Sequence, residues 1–206
     1  MLFRSRYLED ELVYLLENSD AEALLFAASL RHHVAAVMGR VPTVKLWIQV
    51  DDDAGAAVLD GAVGYEDMLA AHAPAARVER SGDDLILLYT GGTTGMPKGV
   101  MWRNEDLFGV LGESLYPLFG HTMPDDSAGV GAAAVTIAAS REAVHLPASP
   151  LMHGTGMFTS FQSLMAGGSI VTLEGHHFDA HELWRVVAEA GVTQMAIVGD
   201  AFAKPM

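Results

Sequence analysis

Residues 89–99 read YTGGTTGMPKG. Gly91, Gly92 and Gly95 can take positive φ and let the main chain approach a ligand closely. Successive backbone N–H groups in such a loop can converge on one anion. Thr90, Thr93 and Thr94 add hydroxyl donors, and Lys98 adds a compact positive charge. Glycines, hydroxyls and one lysine together describe a polyphosphate cradle. It is not a Walker loop, which needs Gly before the lysine and Ser or Thr after it; Pro97 and Gly99 stand in those places. Gly- and Thr-rich turns are common and most bind nothing, so the weight rests on the complete ordered string and on the strand before it.

That strand is residues 85–89 (LILLY), a continuous apolar run of the kind buried on both faces in parallel sheets. Working outward, Asn104 followed by Glu105 and Asp106 has the chemistry of an N-cap and first helical turn. Met157, Phe158, Phe161, Leu164 and Met165 trace an apolar helical face closed by Gly167 and Gly168, and residues 169–173 (SIVTL) read as a strand. Asp179 to Glu182 resembles a capping box, with Leu183, Trp184, Val186 and Val187 as the buried side of its helix. Gly191 is placed to end that helix before a strand at 195–198. Upstream, Leu8, Leu12, Leu15 and Leu16 fall at helical spacing behind an acidic first turn, and residues 23–27 and 45–50 read as strands. Residues 65–72 read as a short helix and 77–84 as an exposed connection. Strand and helix in this rhythm predict an α/β fold with a largely parallel sheet flanked by helices. Open sheets gather ligand groups outside the carboxyl ends of their strands, so the loops after Tyr89 and Val198 are the candidates.

Composition narrows the function classes. Half of the 206 residues are hydrophobic and only 18% are charged, which supplies a real core. The net charge of −14 repels nucleic-acid phosphates and anionic lipid, and so argues against either as a partner. There is no cysteine, hence no disulfide framework, which fits a cytoplasmic enzyme. The longest weakly polar run, residues 128–139, is too short to span a bilayer. The Asp51–Asp53 run reads as a solvated loop, and calcium-like ligation is a minor alternative.

At residues 87–99 the resemblance becomes specific. The string is similar to the phosphate-binding signature of the adenylate-forming (AMP-binding) superfamily, and residues 100–106 resemble its acyl-CoA synthetase branch, especially actinobacterial enzymes activating fatty acids or steroid side-chain acids. Residues 150–156 (PLMHGTG) resemble the family segment whose histidine borders the acyl and adenylate site, and 198–203 (VGDAFA) also resembles that branch. The resemblance implies the large N-terminal domain of an adenylate-forming enzyme and a two-step ligase. A carboxylate attacks the α-phosphorus of ATP to give acyl-adenylate, and coenzyme A then displaces AMP. It implies ATP, Mg²⁺ and coenzyme A, with donors aimed at the phosphate oxygens. Thr90, Gly91, Gly92, Thr93, Thr94, Gly95, Met96, Pro97 and Lys98 would hold the β- and γ-phosphates. His153, Gly154, Val198 and Gly199 would border the acyl and adenylate pocket, with His153 the one catalytic candidate.

Members of that family carry later segments for adenine and Mg²⁺, for ribose, and for an assisting lysine in a C-terminal domain. None is read after Val198, so residues 1–206 are expected to be a partial adenylation domain without the C-terminal domain, inactive alone. A non-catalytic nucleotide- or phosphate-binding module is the alternative from another class; it has no use for residues 150–156. His176, His177 and His181 have loose spacing and read as a solvated helix entrance rather than a metal site. His153 itself, a lone histidine among glycines, is balanced between a structural and a pocket role.

Overall fold

A computed structural model describes residues 7–90, 96–175, 178–199 and 203–204. In chain order the elements are α1 (Glu9–Asn18), β1 (Ala23–Ala27), α2 (Arg31–Val37), β2 (Leu46–Val50), β3 (Val63–Gly64), α3 (Tyr65–Ala71), β4 (Leu85–Thr90), β5 (Lys98–Arg103), α4 (Asn104–Leu115), α5 (Ser127–Ser140), β6 (Val144–Ala148), α6 (Gly154–Met165), β7 (Ser169–Ile170), α7 (Ala180–Glu189) and β8 (Gln194–Ile197). They form two compact units, residues 1–80 with 87–101, and 81–86 with 102–206.

In the first unit β1, β2 and β3 form a parallel sheet, with Leu25 beside Ile48 and Ile48 beside Val63. Glu9, Asp10 and Glu11 occupy the first turn of α1, where the helix dipole favours negative charge. Glu11 also accepts the Leu8 N–H at 2.9 Å. Leu12 and Leu16 then pack with Leu24, Phe26, Val34, Val37 and Trp47. Residues 23–27 are buried on one face only: Leu24 and Phe26 point in, while Leu25 is 42% exposed. The apolar run ALLFA reads in the sequence as a short buried strand, but with one face covered it is amphipathic.

In the second unit β6 is the central strand of a parallel sheet in the order β7-β6-β8. Alternation along β6 gives it two covered faces. Leu146 and Ala148 pack with Leu183 of α7, while His145 turns to α6 and bonds Thr159. A further cluster joins Leu107, Leu111 and Leu115 of α4 to Ile137 of α5 and Met165 of α6.

Several expectations need correction. The α/β architecture with parallel sheets is as expected, but among the described residues the strands pair as three separate ladders, the third being β4 with β5. Residues 85–89 are half-buried, not buried on both faces, and Leu85 is 49% exposed; among the described residues β5 is the only partner strand. The strand β5 carries no signal in the sequence pattern, and neither does the helix α5, whose Ala and Gly residues show no apolar stripe. Asn104 is the first helical residue rather than the cap, a place taken by Arg103. On α6 the buried residues are Gly156, Ser160, Ser163 and Met165, while Leu164 is exposed and Met157, Phe158 and Phe161 are half-buried. The strand expected over 169–173 keeps only Ser169 and Ile170. Trp184 lies on the exposed side of α7. Glu182 accepts from the backbone N–H groups of Glu174 and Gly175, so it braces the preceding loop.

Candidate functional site

β4 delivers Thr90 and β5 begins at Lys98, so the two strands hold both ends of the glycine-rich string. Gly91, Gly92, Thr93, Thr94 and Gly95 lie outside the described residues. Of the remaining string, Thr90 donates its hydroxyl to the Lys98 carbonyl at 3.4 Å, Met96 is exposed and Pro97 is buried. Lys98 is exposed and makes no ion pair among the described residues. By contrast Arg103 is shared by Asp83, Glu105 and Asp106, Arg40 is paired with Asp10 and Arg185 with Glu189.

The base of the loop is clamped by Tyr89. Its hydroxyl donates to Asn18 of α1 at 2.6 Å, and burial raises its pKa. A Cβ placed on Gly99 would stand 3.0 Å from the Tyr89 ring, so Gly99 is the residue that lets this ring lie against β5. Gly99 thus serves packing, while the string's other glycines remain candidates for the phosphate.

β6 and β8 are adjacent and parallel, with Ala148 beside Ile197. Their carboxyl ends therefore release residues 149–154 and 198–199 side by side, where ligand groups gather in open α/β sheets. After β6 the chain turns at Pro150, whose carbonyl accepts the His153 N–H at 2.8 Å. His153 is the N-cap of α6, its Nδ1 accepting the Thr155 N–H at 3.2 Å. Its imidazole is exposed, and Gly154 is the first helical residue. Gly156 has no room for a side chain: a Cβ would stand 2.7 Å from Pro150 O and from Ser149 Oγ. Val198 is half-buried, and Gly199 holds φ +71°. Residues 200–202 of the VGDAFA segment lie outside the described residues. The structure thus brings His153, Gly154, Val198 and Gly199 to one end of the second unit's sheet, while Thr90, Met96, Pro97 and Lys98 belong to the first unit.

Sequence reasoning missed His145 and Thr159. His145 is 3% exposed, bonds Thr159 Oγ1 through Nε2 at 3.0 Å, and burial pulls its pKa down. Both line a cavity of about 190 Å³ with Leu115, Phe119, Gln162 and Gln194. A histidine in an apolar strand between Val144 and Leu146 was the available signal. Of the metal candidates, His176 and His177 lie outside the described residues, while the His181 N–H donates to the cap Asp179. No group of three His, Asp or Glu among the described residues could hold a metal. Asp52 accepts the Ser29 N–H and Asp51 that of Asp53, which occupies this acidic run with backbone bonding.

The family model described as AMP-binding enzyme matches residues 2–205. The chain belongs to this AMP-binding family. The 3-oxocholest-4-en-26-oate–CoA ligase of Rhodococcus rhodochrous is 38% identical over 203 residues, covering 98% of this chain and 36% of that protein. The medium-chain acyl-CoA ligase Mig of Mycobacterium avium is 36% identical with the same coverage of each. Among solved structures, the N-terminal domain of FACL13 from Mycobacterium tuberculosis superposes with a TM-score of 0.64 at 23% identity, over 94% of this chain and 41% of that one. The α/β architecture is that of the N-terminal domains of adenylate-forming enzymes. The chain spans about a third of the length of these AMP-binding relatives.

Proposed function

We propose that residues 1–206 are a partial adenylation domain of an ATP-dependent acyl-CoA synthetase, the part that holds the ATP phosphates and borders the acyl group. The observation that carries this reading is the string at 89–99, set between two paired strands, in a chain 38% identical to a named CoA ligase. Thr90 and Lys98, with the string between them, supply hydroxyl, backbone and ammonium donors to the β- and γ-phosphates. Donors fixed before reaction need no reorganisation as charge moves onto phosphate oxygens, so their stabilisation of the transition state is retained in full. His153, Gly154, Val198 and Gly199 border the acyl and adenylate groups at the carboxyl ends of β6 and β8. With Nδ1 accepting from Thr155, His153 has Nε2 left as a donor.

The substrate class is a fatty or steroid side-chain carboxylic acid, the class named for the relatives. ATP and coenzyme A are the co-substrates, and their supply makes the cytoplasm the compartment of the reaction. Mg²⁺ would arrive on the ATP phosphates; the described residues offer it no ligand cluster. Among the described residues no helix is long and apolar enough to cross a membrane.

The test is carboxylate-dependent ATP–pyrophosphate exchange by the full-length gene product. Exchange that rises with a fatty or steroid side-chain acid, followed by acyl-CoA formation when coenzyme A is added, is expected. Nucleotide binding without carboxylate-dependent exchange would move the protein to the non-catalytic class.

A further inference from the structure

Thr155 is the meeting point of a hydrogen-bonded chain in the second unit. Its N–H donates to His153 Nδ1 at 3.2 Å, and its carbonyl accepts from the Thr159 hydroxyl at 2.7 Å. Thr159 Oγ1 in turn lies 3.0 Å from His145 Nε2. A threonine hydroxyl has one proton to give, and the 2.7 Å contact to Thr155 takes it in preference to the Gly156 carbonyl at 3.4 Å. His145 must then donate from Nε2, and its Nδ1 is a buried lone pair without a partner among the described residues. Burial keeps this imidazole neutral, which preserves the single proton at Nε2.

The two ends of the chain differ in how they are held. His145 sits on the central strand, in register with Ile170 on one side and Gln194 on the other. His153 is exposed on a turn, where a side chain left to itself samples several rotamers. The intervening bonds join the fixed end to the exposed one. We propose that His145 is a positioning residue that acts through Thr159 and Thr155 to orient the His153 imidazole at the carboxyl end of the sheet. The inference rests on the reading of His153 as a pocket residue. Supporting shells of this kind set how closely a functional side chain keeps its productive geometry.

Thr159 is the link to cut, since His145 sits in the core and its removal can unfold the unit. Thr159→Val keeps the shape and removes the hydroxyl, whereas Thr159→Ser keeps the hydroxyl. In the full-length ligase, hydrogen exchange read by mass spectrometry over residues 154–157 is expected to quicken about fivefold in Thr159→Val, the factor for one net hydrogen bond. It should stay within about twofold of wild type in Thr159→Ser. In kinetics, Thr159→Val should lower kcat/KM for the carboxylic acid, and that loss should vanish when His153 is already alanine, because residues acting in one network are not additive. Unchanged exchange in Thr159→Val, or losses from Thr159→Val and His153→Ala that multiply independently, would overturn the proposal. Wild-type kinetics for His153→Ala would instead remove the pocket reading itself, and the exchange measurement separates the two failures.

Discussion

Lys98, which has no ion-pair partner among the described residues, places a positive charge in a chain whose net charge is −14. Arg103, at the other end of β5, differs in this respect, since its guanidinium is divided among three carboxylates. An exposed charge of this kind contributes little to folding. Its expected role is toward a phosphate, where a charge-assisted contact is worth roughly 1.5–3 kcal/mol. On the proposed function, Lys98→Ala in the full-length gene product is therefore expected to weaken ATP use by roughly ten- to a hundredfold while leaving carboxylate binding unchanged. Steady-state kinetics with each substrate varied in turn checks it, and unchanged ATP kinetics would take Lys98 out of the phosphate site. His145 allows a second residue-level expectation. Burial lowers its pKa below the ordinary 6.5, so the unfolded chain takes up a proton at a pH where the native state does not. Stability from this group is present above about pH 6.5 and is lost as pH falls through the lowered native value. Glu9, through a backbone hydrogen bond and His33, and Asp52, through Ser29, are held below their ordinary values of 4.5 and 3.8, so their contributions are lost only at lower pH. Thermal unfolding midpoints should accordingly fall between about pH 7.5 and pH 5.5, and His145→Gln should flatten that stretch. An equal slope in the variant would assign it elsewhere.

Among elements, α6 shows how close packing overrides local propensity. An alanine in place of a helical glycine ordinarily stabilises by about 0.5–1 kcal/mol. Gly131 in α5 has open space where a methyl group would stand, with nothing within 4 Å, so Gly131→Ala should follow that rule. Gly156 meets Ser149 and Pro150 backbone oxygens within 2.8 Å, and backbone cannot swing aside as a side-chain end can. Overpacking of about 1–3 kcal/mol then exceeds the propensity gain, and Gly156→Ala should lower the unfolding midpoint while Gly131→Ala raises it. A raised midpoint for both would show that the 149–156 turn can relax. The same contrast explains what the sequence disclosed. The helices α1 and α7 were readable because an acidic first turn and an apolar 3.6-residue period coincide. The strands β1, β2 and β8 were readable from short apolar runs between turn residues. β5 was not, because Val100, Met101 and Trp102 sit beside a string whose chemistry spoke for a loop, and Lys98 and Arg103 mask the strand ends. The segment 150–156 was read as a candidate site, but the capping of α6 by His153 was not legible, since histidine is an uncommon N-cap. His145 and Thr159, fourteen positions apart, meet only through tertiary packing, which no local pattern reports.

At the scale of the whole molecule the remaining question is what 206 residues can do by themselves. The chain spans 36% of the length of its Rhodococcus rhodochrous relative. The phosphate binding proposed for the string would draw on groups local to β4, β5 and the residues between them, so weak binding of an anion needs little more than those elements. Adenylation demands that a carboxylate, the α-phosphate and their charge-stabilising groups be held together, and good alignment contributes on the order of 7–11 kcal/mol. Among the described residues, Leu85, Val110, Leu118 and Val135 leave large apolar surface exposed, with Leu118 at 79% and Val135 at 73%. Apolar exposure of this extent favours association with other surfaces. The 206-residue chain, purified alone, is therefore expected to bind pyrophosphate or ATP weakly, to self-associate, and to form neither acyl-adenylate nor acyl-CoA. Incubation with ATP, Mg²⁺, coenzyme A and a panel of fatty and steroid side-chain acids, followed by mass spectrometry for both products, checks this expectation. Reproducible product that disappears in Lys98→Ala would overturn it, and would mean that the groups aligning the carboxylate with the α-phosphate all lie within these residues.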